Sequence, residues 1–210
     1  RMVIEGRKGR KNTIYVFSDG EYALTVDAGF WFSYGFHCGQ EISPEEYELF
    51  ELKAMVHGAY DKALYLLSSR DRSAKELEDK LSSKFGKTAA CAAVSKARNL
   101  NLVDDDAFAK KLSEELFYKR GFSPSRIYLE LKRKGITGDL ARETAASIDF
   151  DPQERIIELV RTKYSRHLHD ESGKQRLFAA LARLGYSYAD IRSALRALDV
   201  EIGDEHDIFD

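Results

Sequence analysis

Apolar positions change their spacing along the chain, from every second residue near the N-terminus to every third or fourth residue over most of the rest. The segments 13–17 and 22–26 have a period of two and flank Asp19-Gly20, a pattern that predicts a β-hairpin. Farther along, pairs such as Ile127 and Leu131 fall four apart, on one face of a helix. The pattern predicts a mainly α chain with a small α+β appendage that contains a β-hairpin.

One signal occurs three times in the helical part: a serine that can cap a helix is followed 12 or 13 residues later by a glycine, any residue, and then Ser or Thr. Each copy predicts a capped helix, a glycine stop and a second helix, and a further helical segment precedes each copy. We therefore expect three tandem three-helix modules, which are helical repeats in an elongated arrangement. The serine–glycine pairs are Ser73 with Gly86, Ser123 with Gly135, and Ser172 with Gly185.

Signals around these repeats set the expected boundaries. Ser43-Pro44-Glu45-Glu46 opens a helix that is expected to run toward Val56, and a second helix is expected from Ala59 to Leu67. The end of the chain, from Asp199 to Asp210, has six acidic residues and no Lys or Arg. Such a tail is typical of a solvated terminus, and the alternative is a competitor for a basic patch on the same chain. The expected division is 1–57 for the appendage, 58–103, 104–149 and 150–198 for the modules, and 199–210 for the tail.

Smaller elements are predicted inside the appendage. Val3-Ile4 could add a third strand to the hairpin, and Ala28–Tyr34 predicts a short helix that ends at Gly35. A basic run, Arg7, Lys8, Arg10 and Lys11, lies between the third strand and the hairpin.

Composition and net charge argue against some classes of function. The net charge of −2 argues against a dedicated high-affinity nucleic-acid binder, although local patches can still be basic. Cys38 and Cys91 stand alone and no signal peptide precedes them, so we expect reduced thiols in the cytoplasm. No apolar run approaches the length needed to span a membrane. The composition predicts a cytoplasmic, soluble chain that does not bind membranes.

No residue pattern predicts an active site. Gly86-Lys87-Thr88 resembles the end of a phosphate-binding loop, but the first glycine of that loop is replaced by Leu81. Asp104-Asp105-Asp106 precedes a helix, where carboxylates stabilise the N-terminal end of the dipole. His167 and His169 are two residues apart and would not face one ligand together on a helix. We therefore predict no catalytic residue, no metal and no cofactor.

Basic residues concentrate in the second module, where residues 119–134 contain six of them and one acid, Glu130. On a helical wheel Arg126, Leu129 and Arg133 lie opposite the apolar side. A solvated face, with lysines at a helix C-terminus, is one interpretation. A contact surface for phosphates or an acidic partner is the favoured one, because a leucine between arginines is unusual on a solvated face. The candidate partner- or DNA-binding residues are Lys119, Arg120, Arg126, Leu129, Lys132, Arg133 and Lys134, extended in the third module by Arg176, Arg183, Arg192 and Arg196.

Several segments resemble one family. Residues 102–109, LVDDDAFA, and 119–136, KRGFSPSRIYLELKRKGI, are similar to the central signature of the RecX regulators of the bacterial recombinase RecA. Residues 63–77 resemble the first module of that family and residues 174–187 its third, and the Asp19-Gly20 hairpin resembles the N-terminal extension of longer members. One departure is Asn99-Leu100-Asn101, where the family commonly has a glycine next to an aromatic residue.

The resemblance implies three tandem three-helix modules in a curved, elongated arrangement. It also implies binding to the RecA filament on DNA, with inhibition of filament extension, ATP hydrolysis and strand exchange. We expect a monomer that binds single- and double-stranded DNA only weakly. The alternatives are a tandem helix-turn-helix transcription regulator, which would bind short duplexes sequence-specifically, and a helical scaffold that binds neither DNA nor a recombinase.

Overall fold

The computed structural model describes residues 1–168 and 170–200, and its chain divides into two compact units, Arg1–Asp104 and Asp105–Asp210. Most of the predicted acidic tail, from residue 201 onward, lies outside the described residues, as does His169. Each unit has its own hydrophobic clusters.

The first unit begins with a four-stranded antiparallel sheet of strand order β3-β2-β1-β4. The predicted hairpin is confirmed: Asp19 and Gly20 both have positive φ values, 48° and 84°, as its tight turn requires. The strand predicted around Val3 is also confirmed. The last strand has only three residues, too few to show a periodicity. The strands are β1 (Met2–Lys8), β2 (Thr13–Ser18), β3 (Glu21–Asp27) and β4 (Gln40–Ile42).

One face of this sheet is buried against aromatic side chains. Trp31 and Phe50 pack on it, with their ring centroids 5.9 Å apart in an edge-to-face arrangement. Trp31 belongs to helix α1 (Ala28–Tyr34), which begins after the Asp27 cap and ends at Gly35, as predicted. The buried strand residues are Ile4, Ile14, Val16, Leu24 and Val26. The sheet therefore has a hydrophobic core of its own on one face, and its other face lies outside this core.

Helix α2 runs without a break over Pro44–Ser69. The capping box at Ser43 is confirmed, but the prediction that one helix ends near Val56 and another begins at Ala59 is wrong. Gly58 is the weakest helix former between them, and it stays helical with the ring of Phe85 packed against it: a Cβ there would lie 3.0 Å from Phe85 Cε1. The expected boundary between residues 57 and 58 thus falls inside α2.

Helix α3 (Ala74–Asn99) completes the first helical module and is kinked at Gly86, where φ is 76° and ψ is 162°. Ser73 caps α3 by accepting a hydrogen bond from the backbone N–H of Glu76. After α3, Asn101 has a φ of 54°, a left-handed conformation that asparagine tolerates better than most residues. Asn101 can therefore form the turn at the place where the family that the chain resembles commonly has a glycine. Leu77 and Leu81 of α3 pack in one cluster with Ala59 and Ala63 of α2.

The second unit contains two further helical clusters, one for each half. Asp105 and Asp106 lie in the first turn of the first helix of this unit, near its N-terminus as the sequence predicts. The predicted cap Ser172 is wrong: Asp170 caps the helix instead and accepts a hydrogen bond from the backbone N–H of Gly173. The helices are α4 (Asp105–Glu114), α5 (Pro124–Arg133), α6 (Gly138–Ala146), α7 (Pro152–Leu159), α8 (Glu171–Arg183) and α9 (Tyr188–Ala197), with π-helical turns at Glu115–Arg120 and Val160–Tyr164.

The mainly α fold class, with three-helix modules and a β-containing N-terminal part, is confirmed. Its repeated corners depend on glycines. Gly135 between α5 and α6 and Gly185 between α8 and α9 have φ values of 79° and 93°, which favour glycine over residues with a side chain.

Candidate partner and nucleic-acid interface

The N-terminus of α5 is fastened to the turn between α8 and α9. Ser123 caps α5 and also donates its hydroxyl to the carbonyl of Gly185 at 2.8 Å, while its backbone N–H donates to Leu184 O at 2.9 Å. A Cβ on Gly185 would lie 2.5 Å from Ser123 Oγ, so only glycine allows this approach. The two halves of the second unit are therefore joined at the start of the predicted binding helix.

Two buried residues that the sequence did not single out complete this joint. The Arg155 guanidinium, with its side chain 10% exposed, donates to the carbonyl of Phe117 at 2.6 Å and pairs with Glu158. The Tyr186 hydroxyl donates to Gly121 O at 3.1 Å, and burial raises the pKa of this phenol to about 12. No motif marks Arg155 or Tyr186 in the sequence, because each acts on the backbone of a distant turn.

Arg126 shares the predicted face with Leu129 and Arg133, but a neighbouring turn covers part of it. Its side chain is 31% exposed, its guanidinium is 2.8 Å from Glu130, and its Nε is buried without a hydrogen-bond partner. The reason is the neighbouring turn: a Cβ on Gly185 would lie only 2.7 Å from the Cβ of Arg126. A helical wheel drawn for one helix identifies the side that faces away from its own module, but it cannot show whether another module packs against that side.

Arg133 is outward, with a side chain 64% exposed, but it pairs with the same carboxylate, Glu130, at 3.0 Å. One acid therefore offsets part of the charge of both arginines. The uncompensated charge of this region lies on Lys119, Arg120 and Lys132, all exposed, and the structure gives none of these three a side-chain ion pair among the described residues. Lys134 is partly buried at the C-terminal cap of α5.

Leu129 lies on the surface, as predicted, and is 48% exposed. It borders a shallow hollow between α5 and α6, which we call the α5–α6 hollow. Arg142 stands on the α6 side of the hollow and pairs with Asp139 at 3.3 Å. The lining residues are Pro124, Ser125, Tyr128, Leu129, Arg142, Ala145 and Ala146. The hollow is mostly apolar with one guanidinium at its edge, which suits a protruding apolar side chain of a protein partner better than a phosphate.

The third-module candidates have local surroundings that differ from one another. Arg183 and Arg196 are exposed, and Arg196 borders a separate polar hollow with Lys174 and Asp199. Arg192 is partly buried, with its guanidinium over the ring of Tyr188 at 5.7 Å. Arg176 lies 4.0 Å from the carboxylate of Asp170. The sequence grouped these four by charge alone, and the structure shows different surroundings for each.

In the part of the chain that the structure describes, no group of three or more His, Cys, Asp or Glu side chains could hold a metal ion. No helix among the same residues is long and apolar enough to cross a membrane. Cys38 and Cys91 are both free.

Comparison with known proteins identifies the family. A model described as the first three-helix domain of RecX matches residues 59–96, and a model of the second three-helix domain of RecX matches residues 104–144. A regulatory protein RecX from Caldanaerobacter subterraneus subsp. tengcongensis is 34% identical over 190 residues, which cover 90% of this chain and 95% of that protein. The chain belongs to the RecX family. Both matched domains therefore correspond to helical modules described above, the second of which contains α5 and α6.

Further RecX relatives match along most of their length. A regulatory protein RecX from Clostridioides difficile is 27% identical and covers 93% of both chains, and one from Bacillus subtilis is 29% identical and covers 91% of this chain and 75% of that protein. A crystal structure of regulatory protein RecX matches with a TM-score of 0.63 at 20% identity, over 93% of this chain and 100% of that chain. RecX from Lactobacillus salivarius matches with a TM-score of 0.57 at 25% identity, over 70% of this chain and 98% of that chain.

Proposed function

We propose that this RecX-family regulatory protein binds the RecA filament on DNA and inhibits its ATP hydrolysis, its extension and strand exchange. The observation that carries the proposal is the surface of the second module. Leu129 is half exposed beside the α5–α6 hollow, and exposed cations, Lys132 and Arg133, follow it on α5. An apolar anchor next to positive charge suits a partner that is part protein and part phosphate backbone.

The repeated modules support the same proposal. A filament presents identical protomers at regular intervals, so similar modules in one chain can contact successive protomers. Because the modules are covalently linked, contacts that are weak one at a time add to a much higher overall affinity. This arrangement needs no strongly basic surface, and the net charge of the chain is only −2.

The alternative, a tandem helix-turn-helix transcription regulator, is less well supported. In such a module the second helix of the corner would enter the major groove and contact base edges. Helix α6 occupies that place after Gly135, and it contains Asp139 and Glu143 against one cation, Arg142, which is paired with Asp139. A helix with a net negative charge is repelled by the phosphates on both sides of the groove.

We infer that the chain acts in the cytoplasm as a monomer, without a cofactor. DNA binding in the absence of the recombinase is expected to be weak and steeply dependent on salt, because few phosphates can be neutralised at once. The candidate residues remain those named above, with Arg126 assigned to the joint between modules rather than to the partner.

The test is to add the protein to RecA filaments already formed on single-stranded DNA and to follow ATP hydrolysis. The proposal predicts a dose-dependent slowing. A folded protein that leaves the hydrolysis rate unchanged at a large excess over filament would refute it, and sequence-specific binding to a short duplex would favour the transcription regulator.

A further inference from the structure

The outer face of the N-terminal sheet carries exposed aromatic rings, which neither the fold nor the proposed regulatory surface requires. Tyr15 is 36% exposed and Tyr22 is 60% exposed, on the face opposite the buried core. Phe17 lies between them and is partly buried, with its ring centroid 6.0 Å from that of Tyr22. A protein does not need three neighbouring rings on a solvated sheet face, so this group indicates a ligand with flat apolar surfaces.

The rings are held in place from the strands beneath them. The Tyr22 hydroxyl is 2.9 Å from Thr25 Oγ1, and the Tyr15 and Tyr22 ring centroids are 6.5 Å apart at 71°. The ladder of β2 and β3 shifts by one residue between Val16 and Phe17, which brings Phe17 opposite Tyr22. A shift of this kind redirects side chains, and here it places two rings on one face at neighbouring positions.

Positive charge lies at one end of the same face. Arg7 is directly opposite Tyr15 in the β1–β2 ladder, and its guanidinium is 4.1 Å from the ring centroid of Phe17. The turn after β1 adds Arg10 and Lys11, both exposed and without an ion pair among the described residues. Across the face, Glu5 is the acid that pairs with Arg7, at 3.0 Å. A Cβ on Gly9 would lie 3.1 Å from Tyr15 Cζ, so the basic turn passes beside that ring.

We propose that this face is a binding site for single-stranded DNA, with bases stacked on Tyr15 and Tyr22 and the phosphate backbone on Arg7 and on the basic turn formed by Arg10 and Lys11. Rings on a strand surface with adjacent cations are how proteins hold unpaired bases without reading their sequence. A duplex keeps its bases stacked inside and cannot offer them to Tyr15 and Tyr22. The choice of DNA over RNA rests on the proposed function, since the filament forms on single-stranded DNA.

The test measures binding of the full chain to a fluorescent 20-nucleotide oligo-dT by anisotropy, with no recombinase present. Tyr15→Leu combined with Tyr22→Leu removes both rings and keeps apolar side chains. Stacking loses about fivefold or more in affinity for each base released, so the double variant, which releases two, should bind about 25-fold more weakly or worse. The matched control is Tyr65→Leu on α2, a tyrosine 68% exposed with Lys62 Nζ 4.4 Å from its ring centroid, which should bind like the unchanged protein.

The basic turn has a separate readout. Single-strand binding changes with a slope of about −0.7 in log affinity against log salt for each phosphate neutralised. Replacing Arg10 and Lys11 with glutamine should therefore reduce the steepness of that slope by about 1.4 if both contact phosphates. A reduced slope without any effect of the tyrosine changes would mean a basic patch only, and the stacking proposal would be overturned.

Three further results would overturn it: tighter binding to oligo-rU than to oligo-dT, equal dependence of duplex binding on the tyrosines, or unchanged oligo-dT affinity in the folded double variant. If the double variant does not fold, the unchanged protein can be crosslinked by ultraviolet light to oligo-dT that contains 4-thiothymidine. The expected attachment sites are Tyr15 and Tyr22, and attachment elsewhere would refute the proposal. Filament ATPase assays on the same proteins separate the two proposals, because inhibition without oligo-dT stacking refutes only this site.

Discussion

Replacing Gly185 with alanine is expected to destabilise the second unit by about 2–5 kcal/mol. Two costs add. The φ of 93° is left-handed, which costs a residue with a Cβ about 1–2 kcal/mol. The new Cβ would also lie 2.5 Å from Ser123 Oγ and 2.7 Å from Arg126 Cβ, and overpacking of this kind costs about 1–3 kcal/mol. Relief of the clash would break the hydrogen bond from Ser123 Oγ to the Gly185 carbonyl.

Gly35 supplies the matched control. It also follows a helix, has a φ of 87°, and has open space where a Cβ would be placed, so Gly35→Ala should cost only the conformational term of about 1–2 kcal/mol. Hydrogen exchange measured by mass spectrometry gives the opening free energy of peptides from each unit, so the two changes can be compared in one protein. If Gly185→Ala destabilises α5 and α8 no more than Gly35→Ala destabilises α1, the tight joint between the second and third modules is wrong.

Three further predictions follow from the same contacts. Leu131→Ala should lower the free energy of unfolding by about 2–5 kcal/mol, because Leu131 is fully buried and its loss leaves a cavity. Leu129→Ala should change it by no more than about 0.5 kcal/mol. Equal losses of stability in denaturant melts would show that the α5 faces are misassigned. The stability of the second unit should fall as pH rises from about 10 to about 12, because the folded state holds the Tyr186 proton more tightly than the unfolded state. Tyr186→Phe should make stability depend less on pH in this range. An unchanged pH dependence would contradict the burial of the phenol. Small-angle scattering at micromolar concentration should give the mass of a monomer, and a stable dimer would refute that expectation.

The parts of the fold that local chemistry determines were predictable from the sequence. Ser73 and Ser123 cap helices because their hydroxyls reach backbone N–H groups three residues away, and Asp19-Gly20 forms a tight turn because both residues tolerate positive φ. The end of α1 at Gly35 follows from the same rule. Each of these signals lies within a few residues of the feature it controls.

Two of the wrong predictions concern features that depend on residues far away in the sequence. Gly58 was expected to lie near a helix boundary, but a distant ring, Phe85, packs against it within α2. Arg126 was expected to be fully exposed because a helical wheel shows only the side away from its own module, and the Gly185 turn covers the N-terminal end of that side. Contacts between modules therefore decide which of the predicted charges can face a partner. A third is local: Ser172 was predicted as the cap, but the carboxylate of Asp170 accepts the hydrogen bond from the backbone N–H of Gly173.

The most direct test of the central claim is the ATP hydrolysis rate of preformed RecA filaments titrated with three proteins: the unchanged chain, Leu129→Ala and Leu49→Ala. Leu129 and Leu49 are both leucines on helix surfaces and both are 48% exposed, so the substitutions remove a similar apolar surface from different parts of the chain. We predict that the unchanged chain and Leu49→Ala inhibit hydrolysis at the same concentration and that Leu129→Ala requires a markedly higher one, because its loss removes the apolar anchor beside the α5–α6 hollow. Equal inhibition by all three proteins would contradict the assignment of this face to the filament, and no inhibition by any of them would contradict the proposed function itself.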